Sequence, residues 1–360
     1  MLQSIAAALA VSVASATPPP PALDSMFAVA WRKSLVEPWL LEYKPIEPAG
    51  PQVDPLTGMV VVATRDGYVQ VFNPEGTQLW YYEGRGPYFG SPAIGDGLVI
   101  VGGIDGRLLG LEAANGQVRW QYVYREEWGS QPLIQDGLVY VATLEGTVLA
   151  LDAKTGEWRW HFRREPTARF TILGVGRPAI AKGVLYQGFA DGSVVALDAK
   201  TGAVKWDRKV GRGDYPDVDA TVQVAGDRLY VASYGGQVVA LDRASGDVVW
   251  EAKAPLAYKA RIDGDVLFVV TTTNVLAFDA KSGRSIWSTP LDGAPHAEPL
   301  PLKNLLVVAN GKGLLVLDRR SGKKLRLFSR GSGTTAAPSM LGKRLYALSN
   351  AGELVAVDIR

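Results

Sequence analysis

No cysteine occurs among the 360 residues of the chain. That excludes disulfides, thiolate metal sites, iron–sulfur clusters and covalently attached c-type haem. Histidine is nearly absent. His161 and His296 are the two, and their distance along the chain argues against a shared metal site. Neither sign of charge dominates: 38 basic and 36 acidic side chains leave a net charge of +2. A nucleic-acid binder needs a far stronger basic field, so no nucleic acid is expected as a partner. The pairs Arg163-Arg164, Arg319-Arg320 and Lys323-Lys324 read as solvated turn or edge-strand positions. No segment keeps a 3.6-residue apolar stripe over helical length. No Walker loop, dinucleotide glycine motif or Ser-His-Asp order appears in a strand–helix context.

Long apolar runs are lacking as well. Residues 2–16, LQSIAAALAVSVASA, fall short of the ~20 apolar residues that a spanning helix needs, so no direct membrane span is expected. This stretch ends in Ala14-Ser15-Ala16, an A-x-A cleavage pattern, and predicts a secretory signal peptide over 1–16, although no Lys or Arg stands near Met1. TPPPPA follows, and 17–26 reads as a Pro-rich linker. The expected location is periplasmic or otherwise extracytoplasmic. Without a cysteine after the apolar run, a bacterial lipid anchor is not expected.

What the chain does have is tryptophan at regular intervals. Trp31, Trp80, Trp120, Trp160, Trp206, Trp250 and Trp287 each end a similar phrase, and the last six follow a Gly-containing turn. The phrase is clearest as LDAKTGEWRW, Leu151 to Trp160, and recurs at Leu197 to Trp206, Leu241 to Trp250 and Phe278 to Trp287. Residues 130–163 show the full unit. Pro132 to Gln135, Leu138 to Thr143, Thr147 to Asp152 and Glu157 to Phe162 read as four strands, separated by Asp-Gly, Glu-Gly and Asp-x-x-Thr-Gly turns. The middle runs are continuously apolar, as expected of sheets covered on both faces.

Aligned on the turn residue, Asn73, Glu112, Asp152, Asp198, Asp242, Asp279, Asp318 and Asp358 succeed one another at 39, 40, 46, 44, 37, 39 and 40 residues. Such a period, built of short strands, predicts an all-β, eight-bladed β-propeller over 27–360, with four antiparallel strands per blade. The eighth unit ends after its third strand, and 27–35 carries Trp31 with no turn before it. The N-terminal strand is therefore expected to complete the last blade, which hides a sheet edge. The seventh unit has Arg326 where the others have Trp. The indoles are either a ligand-stacking platform or, as the half-polar character of the side chain favours, bolts against the neighbouring blade. Trp39, Trp128 and Trp158 fall outside the repeat.

Two spacings are long, and they place extra residues at 161–177 and 207–220. The first, HFRREPTARFTILGVGR, is basic and then apolar. Phe170, Ile172 and Leu173 are either an exposed apolar group rimmed by charge or a segment packed down on the blade surface. The second gathers Asp214, Asp217 and Asp219 beside Tyr215. Its spacing lacks the pattern of a calcium loop, which leaves a solvated acidic loop or a partner contact. Phe170 and Ile172 beside Asp217 and Asp219 on adjacent blade junctions would form one mixed patch.

The phrase A-L-D-x-x-[TS]-G-x-x-x-W, at Ala150 to Trp160 and Ala196 to Trp206, resembles the repeat of the propellers named after quinoprotein dehydrogenases. The resemblance covers roughly 27–360. Within it, the plan is similar to the outer-membrane assembly factors of the BamB family, which are periplasmic scaffolds that bind the barrel insertase BamA. In that family, a Leu-x-Leu-Arg-Gly loop and an Asp-Val-Asp loop carry the partner-binding residues. Phe170-Thr171-Ile172-Leu173-Gly174 matches the first loosely: Leu173 stands where the family has Arg, with Arg169 or Arg177 as the nearby substitute. Asp217-Val218-Asp219 matches the second. The resemblance implies a monomeric protein-binding scaffold that uses no cofactor. The enzyme branch implies a quinone held under adjacent cysteines beside calcium, and this chain lacks both the cysteines and the long insertions. A quinone- or small-molecule-binding enzyme and a general interaction or sensor propeller are the alternatives.

Overall fold

The computed structural model describes residues 27–36, 46–165, 174–293, 297–329 and 332–359. Among these residues the chain forms eight sheets of four strands, each antiparallel and meandering from the inside of the ring outwards. We number them as blades 1–8 from Gln52 onwards. In blade 3 the strands are Leu133–Gln135, Leu138–Ala142, Thr147–Asp152 and Trp158–Arg163, within a residue or two of the bounds read from the turns. The two middle strands of this blade are almost wholly buried, as their unbroken Val/Leu/Ala content requires. Each apolar cluster of the core joins one blade to the next, so the core is a ring of seams rather than one central mass.

The ring closes as expected. Blade 8 consists of Ser339–Leu341, Arg344–Leu348 and Glu353–Ile359, and its fourth strand is Phe27–Ser34 from the other end of the sequence. The pairing is antiparallel, with Phe27 opposite Ile359 and Trp31 opposite Ala356. Asp358, the eighth turn acid, binds Arg344 through two oxygens at 2.6 and 3.0 Å. Arg344 also donates to the carbonyl of Pro74 in blade 1 at 2.7 Å.

Each tryptophan of the repeat is a bolt. In blade 3, Trp160 sits opposite Ala150, next to a one-residue bulge at Arg159. The bulge re-aims the indole towards the neighbouring blade. The same irregularity and a small opposing residue recur in blades 4, 5 and 6. All seven indoles of the repeat donate Nε1–H to a backbone carbonyl in the next blade's outer turn: Trp31 to Pro74, Trp80 to Ala113, Trp120 to Ala153, Trp160 to Ala199, Trp206 to Arg243, Trp250 to Ala280 and Trp287 to Arg319, at 2.8–3.3 Å.

The glycine of that same turn lies flat under the indole. A Cβ on Gly156 would come within 2.6 Å of Trp120, and one on Gly202 within 2.7 Å of Trp160. Both glycines also hold φ near +72°, where a side chain is strained in any case. The Asp-x-x-Thr-Gly spacing follows from this. Asp152 Oδ1 accepts the N–H groups of Lys154 and Thr155, which shapes the turn that presents Gly156. The Arg159 guanidinium beside Asp152 holds its carboxyl down at about 2.

Arg326 now has a physical reason. It occupies the Trp register, opposite Val316 in blade 7. The bolt from blade 7 would land on the outer turn of blade 8, but the third and fourth strands of that blade come from opposite ends of the sequence and share no turn. Arg326 instead lies over the Phe328 ring at 4.6 Å, and Phe328 packs edge-on against Phe27 at 4.9 Å. An apolar cavity of about 70 Å³ remains at this seam, lined by Val307, Val316, Phe328, Leu345 and Phe27 among others.

Two places in the sequence carry more structure than their reading gave them. Trp128, set aside as outside the repeat, is one of the largest fully buried side chains; it packs on Gly102 and bridges to Thr143. Arg163 ends an outer strand, as expected, but its side chain and that of Arg164 are only 26% and 23% exposed and are paired rather than freely solvated. Arg163 pairs with the buried Glu126, and Arg164 reaches Asp191 and Asp207, each at 2.7 Å, and Ser193 at 2.9 Å. By contrast, Trp158 is half exposed on the outer strand.

Candidate functional site

Strands alternate in direction, so the connections between blades share one end of the ring with the hairpins joining second to third strands. The two long connections, from blade 3 to 4 and from blade 4 to 5, lie at adjacent junctions on that face. Arg169, Phe170, Ile172 and Leu173 lie outside the described residues, as do the predicted signal peptide 1–16, the linker 17–26, Trp39 and His296. Nothing of their structure enters the description of the site.

The second loop is described throughout, and it is not a solvated acidic loop. Asp217 and Asp219 are 3% and 2% exposed. The segment is strapped onto two hairpins. Val218 N–H donates to the Phe189 carbonyl of blade 4 at 3.1 Å, and the Asp217 carbonyl accepts Tyr234 N–H of blade 5 at 2.9 Å. Val218 is itself buried, and it fills the space that a Cβ on Gly188 would occupy. The Asp219 carbonyl accepts the Lys259 ammonium at 3.3 Å. What the loop exposes is its tip, Arg212 to Tyr215, with the Tyr215 ring more than half exposed. Arg212 pairs with Glu251 at 2.9 Å. A lone aromatic flanked by Gly213 and Pro216 was the signal for this tip in the sequence.

Burial pushes the Asp217 carboxyl above the usual carboxylate range. A carboxyl whose pKa is raised by folding costs stability once it ionises. The cost is absent at pH values below its unfolded pKa and fully present above its folded one. Asp217→Asn is therefore expected to raise the melting temperature by a few degrees at most at pH 7, and to leave it unchanged near pH 3. Thermal scans at the two pH values check this, and a fall at pH 7 would show that the ionised group is stabilised by a partner.

Arg177 stands apart from the loop tips. It lies on the wall of the central funnel, two residues before the first strand of blade 4, Ala179–Ala181. The funnel is a concavity of about 600 Å³ at the same end of the ring, and residues from all eight blades line it. One register of the repeat holds Gly50, Ser91, Gln131, Arg177, Thr221, Lys259, Glu298 and Ala337 in blades 1 to 8. It stands two residues before the first strand in seven blades and inside the longer first strand Ala257–Asp263 in blade 6. Sequence reasoning missed this ring, although the repeat alignment contains it. Among the described residues, no group of three or more His, Asp or Glu side chains is placed to hold a metal ion, and no helix is long and apolar enough to cross a membrane.

Eight four-stranded blades bolted by Trp–Gly seams define a β-propeller of the quinoprotein-repeat class. The sequence profile described as "Outer membrane protein assembly factor BamB" matches residues 25–127, 65–217 and 256–360. The chain belongs to that family. Among solved structures, BamB from Moraxella catarrhalis is 25% identical with a TM-score of 0.79, covering 93% of this chain and 98% of that one. Quinohemoprotein alcohol dehydrogenase from Comamonas testosteroni shares the fold at 16% identity and a TM-score of 0.74, covering 93% of this chain and 77% of that one. The computationally designed Ika8 protein shares it at 16% identity and 0.72, covering 89% and 98%. Among curated proteins no sequence match was found.

Proposed function

We propose that the chain is a non-enzymatic, extracytoplasmic scaffold that binds a barrel insertase of the BamA type and assists assembly of outer-membrane β-barrel proteins, acting as a monomer. The observation that carries this reading is the family match along most of the chain, joined to two long connections on neighbouring junctions of one face. The contact would use Phe170, Ile172 and Leu173 of the first connection. From the second it would use the exposed tip at Tyr215, with Asp217 and Asp219 holding that tip in place. An aromatic anchor with polar surroundings suits a contact of moderate affinity. The enzyme alternative finds less support: among the described residues that line the funnel, Glu298 is the one carboxylate, where a quinone–calcium site needs several oxygen ligands.

Phe170→Glu together with Tyr215→Glu is expected to weaken binding to the purified periplasmic domains of the same cell's barrel insertase by tenfold or more, with the melting temperature unchanged. About 2 kcal/mol per lost anchor sets that scale. Equal affinity of the double variant and the parent, measured by calorimetry, would remove the patch. No binding by the parent would remove the scaffold reading.

A further inference from the structure

The eight ring positions of the funnel are not equivalent. Most are small or neutral, and several tie blade to blade. Gly50 N–H donates to Ser91 Oγ at 2.8 Å, and Gln131 Nε2 donates to the Pro92 carbonyl at 3.1 Å. Charge appears only at Arg177, Lys259 and Glu298. It is reinforced by Arg261, which lies two residues beyond Lys259 and so points to the same side of its strand. Three cations thus share one arc of the funnel with one carboxylate. Arg261 takes that carboxylate, with Nη1 3.6 Å from Glu298. Lys259 has, among the described residues, only the Asp219 carbonyl, at 3.3 Å. Among the described residues, the half-buried Arg177 guanidinium makes no hydrogen bond and no ion pair. Burial disfavours its charge, Glu298 supports it, and Arg261 opposes it.

Lys259 and Arg261 each tie one blade junction to the next, but among the described residues the Arg177 charge adds no such tie and is opposed by burial and by Arg261. Ser, Gln, Thr and Ala serve the same register in other blades without the repulsion. A concavity with low-dielectric walls focuses the field of its charges on the space between them. Guanidinium groups favour planar oxyanions, which they grip with two parallel N–H donors. The volume falls in the range of small-molecule sites.

We infer that the central funnel binds a small organic anion carrying two or more carboxylate or phosphate groups, with Arg177 and Arg261 as its principal donors and Lys259 as a supporting charge. This goes beyond the scaffold reading and does not depend on it. Glu298 limits the affinity by competing for Arg261. The ligand approaches from the face that bears the long connections, so an occupied funnel would sit beside the protein-binding loops.

Calorimetric titration of the whole protein with citrate and with inorganic pyrophosphate, in low-salt buffer, tests the assignment. At least one is expected to bind at a 1:1 ratio with micromolar to submillimolar affinity, and binding should weaken as salt is raised. The tighter of the two names the acid group. Arg177→Glu is expected to weaken binding at least about tenfold, as loss of a charge-assisted contact does, with the melting temperature retained. Glu298→Gln should strengthen binding several-fold, a gain that a merely structural role would not produce. Absence of saturable heat for both anions up to about 10 mM, the scale of negligible affinity, would overturn the proposal. So would equal affinity of the parent and Arg177→Glu, which would place the anion elsewhere.

Discussion

Deletion of the strand Phe27–Ser34 is expected to abolish cooperative unfolding of the ring and to produce a chain that self-associates. The strand pairs with Glu353–Ile359 along its whole length. Without it, blade 8 keeps three strands and presents a bare, apolar edge to solvent, a template for pairing with other chains. The loss also removes the Trp31 bolt on Gly76 and the hydrogen bond to Pro74, so blades 8 and 1 separate. Both flanks of the closure are weakened together, because Phe27 also packs on Phe328 across the seam to blade 7. That seam has no tryptophan and already holds a cavity, so it has little reserve. The effect exceeds that of truncating one buried tryptophan, about 3–5 kcal/mol. Circular dichroism during heating, together with light scattering, reads the outcome. A peptide of residues 27–36 added in trans should restore part of the transition. A deleted chain that stayed monomeric and melted like the parent would show that closure carries no stability.

The repeat made this closure legible in the sequence. Seven tryptophans, eight turn residues and an unattached strand at 27–35 carry enough information to count the blades and zip the ring, because periodic apolar strands and glycine turns are local properties. Arg326 was visible as an exception, but its cause is topological: blade 8 has no outer turn to receive an indole. The loop 211–219 misled for a related reason. Three aspartates among glycine and proline look solvated when read along the chain. Asp217 and Asp219 are buried by hairpins at Phe189 and Tyr234, whose approach is a tertiary fact. The funnel charges sit between these cases. Arg177, Lys259 and Glu298 share one register of the repeat, so alignment could have found them. Arg177 stood out only as part of the first long connection, and Lys259 and Glu298 not at all, because which register faces the axis is set by the closed ring and not by any one repeat.

The Trp160–Gly202 pair is expected to behave as a single energetic unit. Trp160→Ala removes a 5% exposed indole and its bond to Ala199. It should cost about 3–5 kcal/mol, the range for large buried aromatics. Gly202→Ala should cost nearly as much by a different route. The added methyl would sit 2.7 Å from the indole of Trp160, and the residue must hold φ at +73°. Overpacking accounts for roughly 1–3 kcal/mol and the backbone for about 1 kcal/mol more. In the double variant, the alanine at 202 enters the space that the indole has left, and only the backbone strain adds to the tryptophan's loss. The two costs should therefore fall short of additivity by about 1–3 kcal/mol in a denaturant-based double-mutant cycle. A control pairs Trp160→Ala with Gly283→Ala, whose glycine lies under Trp250 two seams away. These sites share no partner, so their costs should add. Strict additivity at Trp160 and Gly202 would mean that the glycine serves its turn alone and that the bolts are incidental. Strong coupling at the distant pair would mean that the ring yields as one body rather than seam by seam.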